Sequence, residues 1–189
     1  MRNPIAGPGL VAAGMLLVSC TPDRGELPSE ANTGLAAQAV RADREWSEPV
    51  NIGAPVNSAA NEFNPSLSPD GLSLYFNSPN RPGNLGQGDI WVARRGCLTC
   101  PWDEPRNLTP INTVFGEGGP SISDDGHLLF FGSNRPGGYG GTDIWMSRRD
   151  DPTDDFGWGP PVDLGHEVNG PEQDGNARAC LFYFIFLYG

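Results

Sequence analysis

The sequence contains no lysine, only two histidines and four cysteines, and its longest apolar runs, Leu10 to Val18 and Leu181 to Gly189, reach nine residues. Runs that short exclude a membrane-crossing helix, which needs about 20 residues. The common hydrolase signatures are also absent, with no Gly-x-Ser-x-Gly elbow and no His-Glu-x-x-His. His127, at the start of an extended run, and His166, in a loop, stand alone, and solvation explains both without catalysis. With no lysine, all 12 basic residues are arginine, dispersed among 23 acidic ones for a formal net charge of −11. A phosphate backbone needs a clustered basic face, so nucleic acid is excluded as a partner. The negative balance suits solubility or a cationic ligand. What the chain does hold is 26 glycines and 19 prolines alongside 10% aromatic residues. Disordered chains lack such aromatics and helical ones do not scatter Pro and Gly through every segment, so the expectation is all-β.

Arg2 followed by the run from Leu10 to Val18 has the form of a signal peptide. Its ending, Leu17-Val18-Ser19-Cys20, resembles the bacterial lipobox. That resemblance implies cleavage after residue 19, lipidation of Cys20 and attachment to the membrane through the acyl chains. Thr21 stands where an inner-membrane retention signal would place Asp, which implies the outer membrane of the cell envelope by default. Residues 20–45 are polar and small, with Pro22, Gly25, Pro28 and Gly34, and read as a flexible tether.

From residue 46 onward the sequence copies itself. Trp46, Trp102 and Trp158 are spaced 56 residues apart, and each opens a similar phrase that runs on to Ile52, Leu108 and Leu164. Pro65 to Gly71 matches Pro120 to Gly126, Leu74-Tyr75-Phe76 matches Leu129-Phe130-Phe131, and Asn80 to Gly83 matches Asn134 to Gly137. Asp89-Ile90-Trp91 likewise matches Asp143-Ile144-Trp145. Each copy contains four short extended runs: in the first, Pro65 to Ser68, Leu72 to Ser78 and Asp89 to Arg95, then Trp102 to Leu108. Asp70-Gly71 and Asp125-Gly126 are two-residue hairpin turns. In the third run Val92 and Arg94 alternate with Trp91, Ala93 and Arg95, predicting one packed face and one wet face. Four antiparallel strands recurring at this period, each set too small to stand alone, predict β-propeller blades.

These phrases resemble the repeats of the TolB-type, WD-like β-propellers of bacterial envelopes, over residues 46 to about 169. The resemblance implies a ring of roughly six or more blades with a binding face across its central channel. This chain carries two complete blades and part of a third, an incomplete propeller over residues 46–189. The third copy keeps Trp158 to Asn169, lacks the Ser-Pro-Asp-Gly turn and runs into the apolar stretch from Leu181. Exposed, that stretch is an aggregation-prone window; a shortened or frame-altered reading and a buried second strand of the third blade both account for it.

The Gly-rich segment Arg135 to Asp143 is no phosphate cradle, since no Lys-Ser or Lys-Thr follows and a strand comes next. Nor is it a calcium-binding nonapeptide array, because its copies lie 54 residues apart. A strand-to-strand turn with positive φ at several glycines accounts for it. In this reading Asp89 and Asp143 accept backbone N–H groups within the loops, Arg81 and Arg135 clamp Asp70 and Asp125, and Trp91 and Trp145 complete the repeated scaffold. Cys97 and Cys100 predict a local disulfide in an oxidising envelope. A zinc half-site there lacks two ligands, so neither metal nor cofactor is called for.

Function follows as a non-catalytic binding or scaffolding module presenting loops to an envelope protein or a cell-wall polysaccharide. The alternatives are a glycan lyase or hydrolase using Asp70 and Asp125, which would show as carboxylates of raised pKa facing one channel, or a non-functional fragment.

Overall fold

A computed structural model describes residues 47–175. The signal segment, Cys20, the tether, Trp46, Cys180 and the apolar tail lie outside the described residues. Within them the chain is all-β and has no helix. Strands β1 (Phe63–Leu67), β2 (Ser73–Ser78), β3 (Asp89–Arg94) and β4 (Arg106–Asn107) form one antiparallel sheet in sequence order. Strands β5 (Glu117–Ile122), β6 (Leu128–Ser133), β7 (Asp143–Arg148) and β8 (Val162–Asp163) form the second in the same order. The four runs expected per copy are therefore present twice. The fourth is much shorter than Trp102 to Leu108, because Pro105 has no N–H to give the ladder and only Arg106 and Asn107 pair with β3.

The β1–β2 and β5–β6 hairpins follow from their turn residues. Ser68 Oγ donates to Asp70 Oδ1 at 2.5 Å, and the same oxygen accepts the Leu72 N–H at 2.9 Å. In the second copy Ser123 and the His127 N–H occupy Asp125 at 2.6 and 3.0 Å. Gly71 and Gly126 close these turns at φ +69° and +75°, a region that side chains disfavour. A methyl group on Gly126 would meet the rigid ring of Pro152 at 3.0 Å, whereas on Gly71 it would meet the movable end of Leu98. Gly126→Ala is therefore expected to cost about 1–3 kcal/mol and Gly71→Ala less, as read from urea midpoints. Equal losses would refute the role given to Pro152.

The expected wet face of the third strand is absent: β3 is buried from Asp89 to Ala93, and only Arg94 is exposed. The reason is that β2 and β3 are covered on both sides. Tyr75, Ile90 and Val92 on one face form a single cluster with Ile122, Leu129, Phe131 and Trp145 of the second sheet, Trp158 of the β7–β8 connection, and Leu108 and Ile111. On the other face Leu74, Phe76, Trp91 and Ala93 pack with Val56 and Trp102. Burying a large apolar side chain contributes about 1.5–3 kcal/mol, so this continuous core makes the two copies one folding unit.

Polar groups fasten the same interface. Asp155, in the β7–β8 connection, accepts Tyr75 Oη at 2.6 Å and Ser73 Oγ at 2.8 Å from the first sheet. Arg94 reaches the same carboxylate at 3.1 Å. Arg149, fully buried at the end of β7, lies 3.4 Å from Asp155, donates to Tyr75 Oη at 3.1 Å and stacks over the Trp158 ring. Burial, then the Asp155 charge, pushes the Tyr75 hydroxyl pKa far up, so it stays a neutral donor.

Candidate functional site

The repeated loop residues build a scaffold first. Asp89 Oδ2 and Oδ1 accept the N–H groups of Leu85 and Gly86 at 2.6 and 3.2 Å, and Asp143 takes those of Tyr139 and Gly140 at 3.0 Å. Both aspartates thus hold their loops closed. Of the glycines between Arg135 and Asp143, only Gly137 has positive φ, at +103°. The others are small for a different reason: a Cβ on Gly138 would stand 2.0 Å from Asp143 Oδ2, and one on Gly140 2.5 Å from the carbonyls of Glu172 and Gly170.

The clamp expected between Arg81 or Arg135 and Asp70 or Asp125 does not form. Arg81 donates to the Val56 and Pro55 carbonyls at 2.9 and 2.8 Å and pairs with Glu62 at 3.1 Å, over the rings of Phe76 and Trp91. Arg135 reaches the Ile111 carbonyl at 2.8 Å and Glu117 at 3.1 Å, over Phe131 and Trp145. Trp91 and Trp145 are thus sandwiched core residues. The arginines follow the C-terminal end of the second strand in each copy, whereas the Asp-Gly turns precede its start, a strand length away. Sequence reading missed the true partners, although their recurrence was visible. Val56-Asn57, Ile111-Asn112 and Val168-Asn169 repeat, each followed five residues after the Asn by an acid, Glu62, Glu117 and Asp174. Asn112 and Asn169 are buried and bridge the N–H and C=O of Ile90 and of Ile144.

At that end of the sheets lies a groove of about 370 Å³ lined by Asn64, Asn77, Gln87, Glu117, Asn134 and Thr142 and by the backbone of several glycines. Irregular pairing shapes it. The ladder slips between Phe63 and Ser66 in β1 and between Gly118 and Ser121 in β5. Asn64 sits there at φ +51° and Gly119, its counterpart, at +60°. Such bulges re-aim side chains, and Asn is among the few residues that tolerate this conformation. Asn134 accepts the Gly116 N–H at 2.7 Å and donates to Gln87 at 3.2 Å, tying the two copies together. Asn77 Oδ1 is buried without a hydrogen-bond partner. Glu117 is the single ionisable residue of the lining, and it is turned onto Arg135. The groove is therefore nearly uncharged, with amide donors and acceptors set among glycine backbone and Pro79.

The candidates for acid–base chemistry lie elsewhere. Asp70 and Asp125 cap their own turns at the opposite end of the strands. The Ser68 hydroxyl and then the Leu72 N–H hold the Asp70 carboxyl below its ordinary 3.8, and Ser123 and the His127 N–H do so for Asp125. A lowered folded-state pKa adds stability above the unfolded value that is lost as pH falls through the folded one. Carboxyl NMR titrations should therefore give both groups midpoints under 3.8, with stability declining only in acid. A midpoint above 3.8 at either would contradict the capping account. Cys97 and Cys100 form a disulfide with Cα atoms 5.0 Å apart. His127 Nδ1 lies 2.9 Å from the Arg149 carbonyl, and His166 pairs with Glu167 at the surface. Among the described residues no three His, Cys, Asp or Glu side chains converge as a metal ion would require.

No protein-family model matches the chain, and no curated protein matches it. Function is therefore read from the groove and the repeat.

Proposed function

We propose that this chain is a non-catalytic lipoprotein of the bacterial cell envelope whose propeller-type blades present an amide-lined groove to cell-wall or other envelope polysaccharide. The groove between the two copies carries this reading, with Asn77 Oδ1 buried and unpartnered in its wall. An unmet buried acceptor costs about 1–3 kcal/mol, which a ligand hydroxyl would relieve. Sugar hydroxyls are neutral and serve as both donor and acceptor, which suits amide side chains and exposed backbone better than a charged ligand would. Two further observations support it. The sequence resembles TolB-type repeats, each copy forming a four-stranded antiparallel sheet, and Asp70 and Asp125 are committed to their own turns. The lipobox-like ending at Cys20 supplies the anchor, and residues 21–45 the reach.

The test is an NMR titration of the protein with peptidoglycan fragments and neutral oligosaccharides. Side-chain amide signals of Asn64, Asn77, Gln87 and Asn134 are expected to shift, and Asn77→Leu is expected to weaken binding about tenfold, equal to 1.4 kcal/mol. Shifts confined to other surfaces would remove the groove from consideration. Perturbation of the same amides by an envelope protein, with none by any glycan, would turn the reading to protein recognition.

A further inference from the structure

One face of the second sheet is chemically equivalent to a face that the first sheet buries. Tyr75, Ile90 and Val92 are 0%, 0% and 3% exposed beneath the second sheet. Their counterparts by strand register are Phe130, Ile144 and Met146, joined by Val162 opposite Met146. The first three are only half-buried and Val162 is 58% exposed. A contiguous apolar row of this kind on a repeat module marks a contact surface.

How the chain enters the filled interface indicates what covers the open one. Gly88 and Gly116 form a parallel bridge with the Glu117 N–H donating to the Gly88 carbonyl at 2.7 Å, after which β5 runs over the first sheet. Gly118, next after Glu117, lies against Asn77. The same approach is built again at the open face. Thr142 and Gln173 form a parallel bridge, and the Asp174 N–H donates to the Thr142 carbonyl at 2.7 Å. Gly175, next after Asp174, has its main chain packed on Gly132, which is the register counterpart of Asn77. At Gly175 the chain therefore enters the open face in the register that β5 uses on the filled one. The sequence continues through Asn176 to Cys180 into the uncharged stretch from Leu181 to Tyr188, which carries five aromatic residues.

We infer that residues 176–189 of the same chain are the occupant of this face and cover Phe130, Ile144, Met146 and Val162. The inference depends on the repeat geometry and is independent of the groove's ligand. Chymotrypsin, which cuts after aromatic residues, reads it directly in the full chain. Cleavage between Phe182 and Tyr188 is expected to be at least ~10-fold slower than in a free peptide of residues 176–189, because cutting follows the population of the open segment. Met146→Glu, and independently Val162→Glu at the already exposed edge, should each accelerate tail cleavage about tenfold. Val50→Glu, far along the chain on an exposed residue, should leave it unchanged. Tail cleavage in the unmodified chain as fast as in the free peptide would overturn the inference. So would Met146→Glu and Val162→Glu dissociating an oligomer while tail cleavage stays constant, since a second copy would then be the occupant.

Discussion

Replacing Asp155 by alanine is expected to destabilise the protein by about 3–5 kcal/mol, since removing one partner leaves a buried charge uncompensated. The side chain of Arg149 is fully buried and that of Asp155 nearly so, and they lie 3.4 Å apart. Arg149 already has one unpartnered nitrogen, Nη2, so the interface has no spare acceptor to replace the carboxylate. Tyr75 and Ser73 lose their acceptor in the same step, and the loss falls on the seam between the two copies. Asp155→Asn keeps an acceptor oxygen and is expected to recover part of the loss. Tyr75→Phe, which removes the hydrogen bonds to Asp155 and from Arg149 but leaves the ion pair, should cost about 1–3 kcal/mol. Urea denaturation with a single transition provides the measurement. An Asp155→Ala cost under about 1 kcal/mol would place the pair among the weak surface bridges and refute its role as the fastener.

Glu117→Ala is expected to have an effect of similar size, about 3–5 kcal/mol, through a different network. The Glu117 carboxylate is fully buried and takes hydrogen bonds from the Thr113 N–H and hydroxyl at 2.8 and 2.7 Å and from Ser133 at 2.9 Å, besides Arg135 at 3.1 Å. Burial pulls the Arg135 guanidinium pKa down while Glu117 opposes it, and because a guanidinium stays charged, removing this carboxylate leaves a largely buried cation without its counter-ion. Its removal also loosens the strand entry that lines the groove. Glu117→Gln retains the shape and accepts from Thr113, and should lose less than Glu117→Ala. If the two variants lose stability equally, charge pairing with Arg135 is the dominant contribution and the hydrogen bonds to Thr113 and Ser133 contribute little.

The repeat made much of the architecture legible. The matched tryptophans, the Asp-Gly turns and the aromatic runs locate the strands within a few residues, because hairpin turn chemistry and strand propensity are local properties. The loop roles of Asp89 and Asp143 were readable on the same ground, as each acts on N–H groups three or four residues away. The partners of Arg81 and Arg135 were not readable in that way. An arginine can reach many carboxylates, and only the β5–β6 pairing, which sets Glu117 opposite Ser133, brings that carboxylate, 18 residues upstream, beneath Arg135. The groove was hidden for a similar reason. Asn134 belongs to a repeated phrase that looks like an ordinary turn, Asn64 and Asn77 have glycine as their counterparts in the second copy, and the three converge only where β1 and β5 are bulged.

By itself the sequence determined the strand order within each sheet, the hairpin turns and the division into two copies. These follow from alternation, turn residues and repetition, which act over a few residues at a time. Tertiary structure alone decided that β2 and β3 are buried on both faces, that Arg149, Asp155 and Tyr75 lock one end of the seam, and that an amide-lined groove opens at the other. Each of these depends on residues far apart in the chain being brought together, such as Tyr75 and Asp155, 80 residues apart, in the lock, and Gln87 and Asn134, 47 apart, at the groove. Local pattern carries no information about such contacts, because the free energy that selects them comes from packing one sheet on another and emptying the space between them of water.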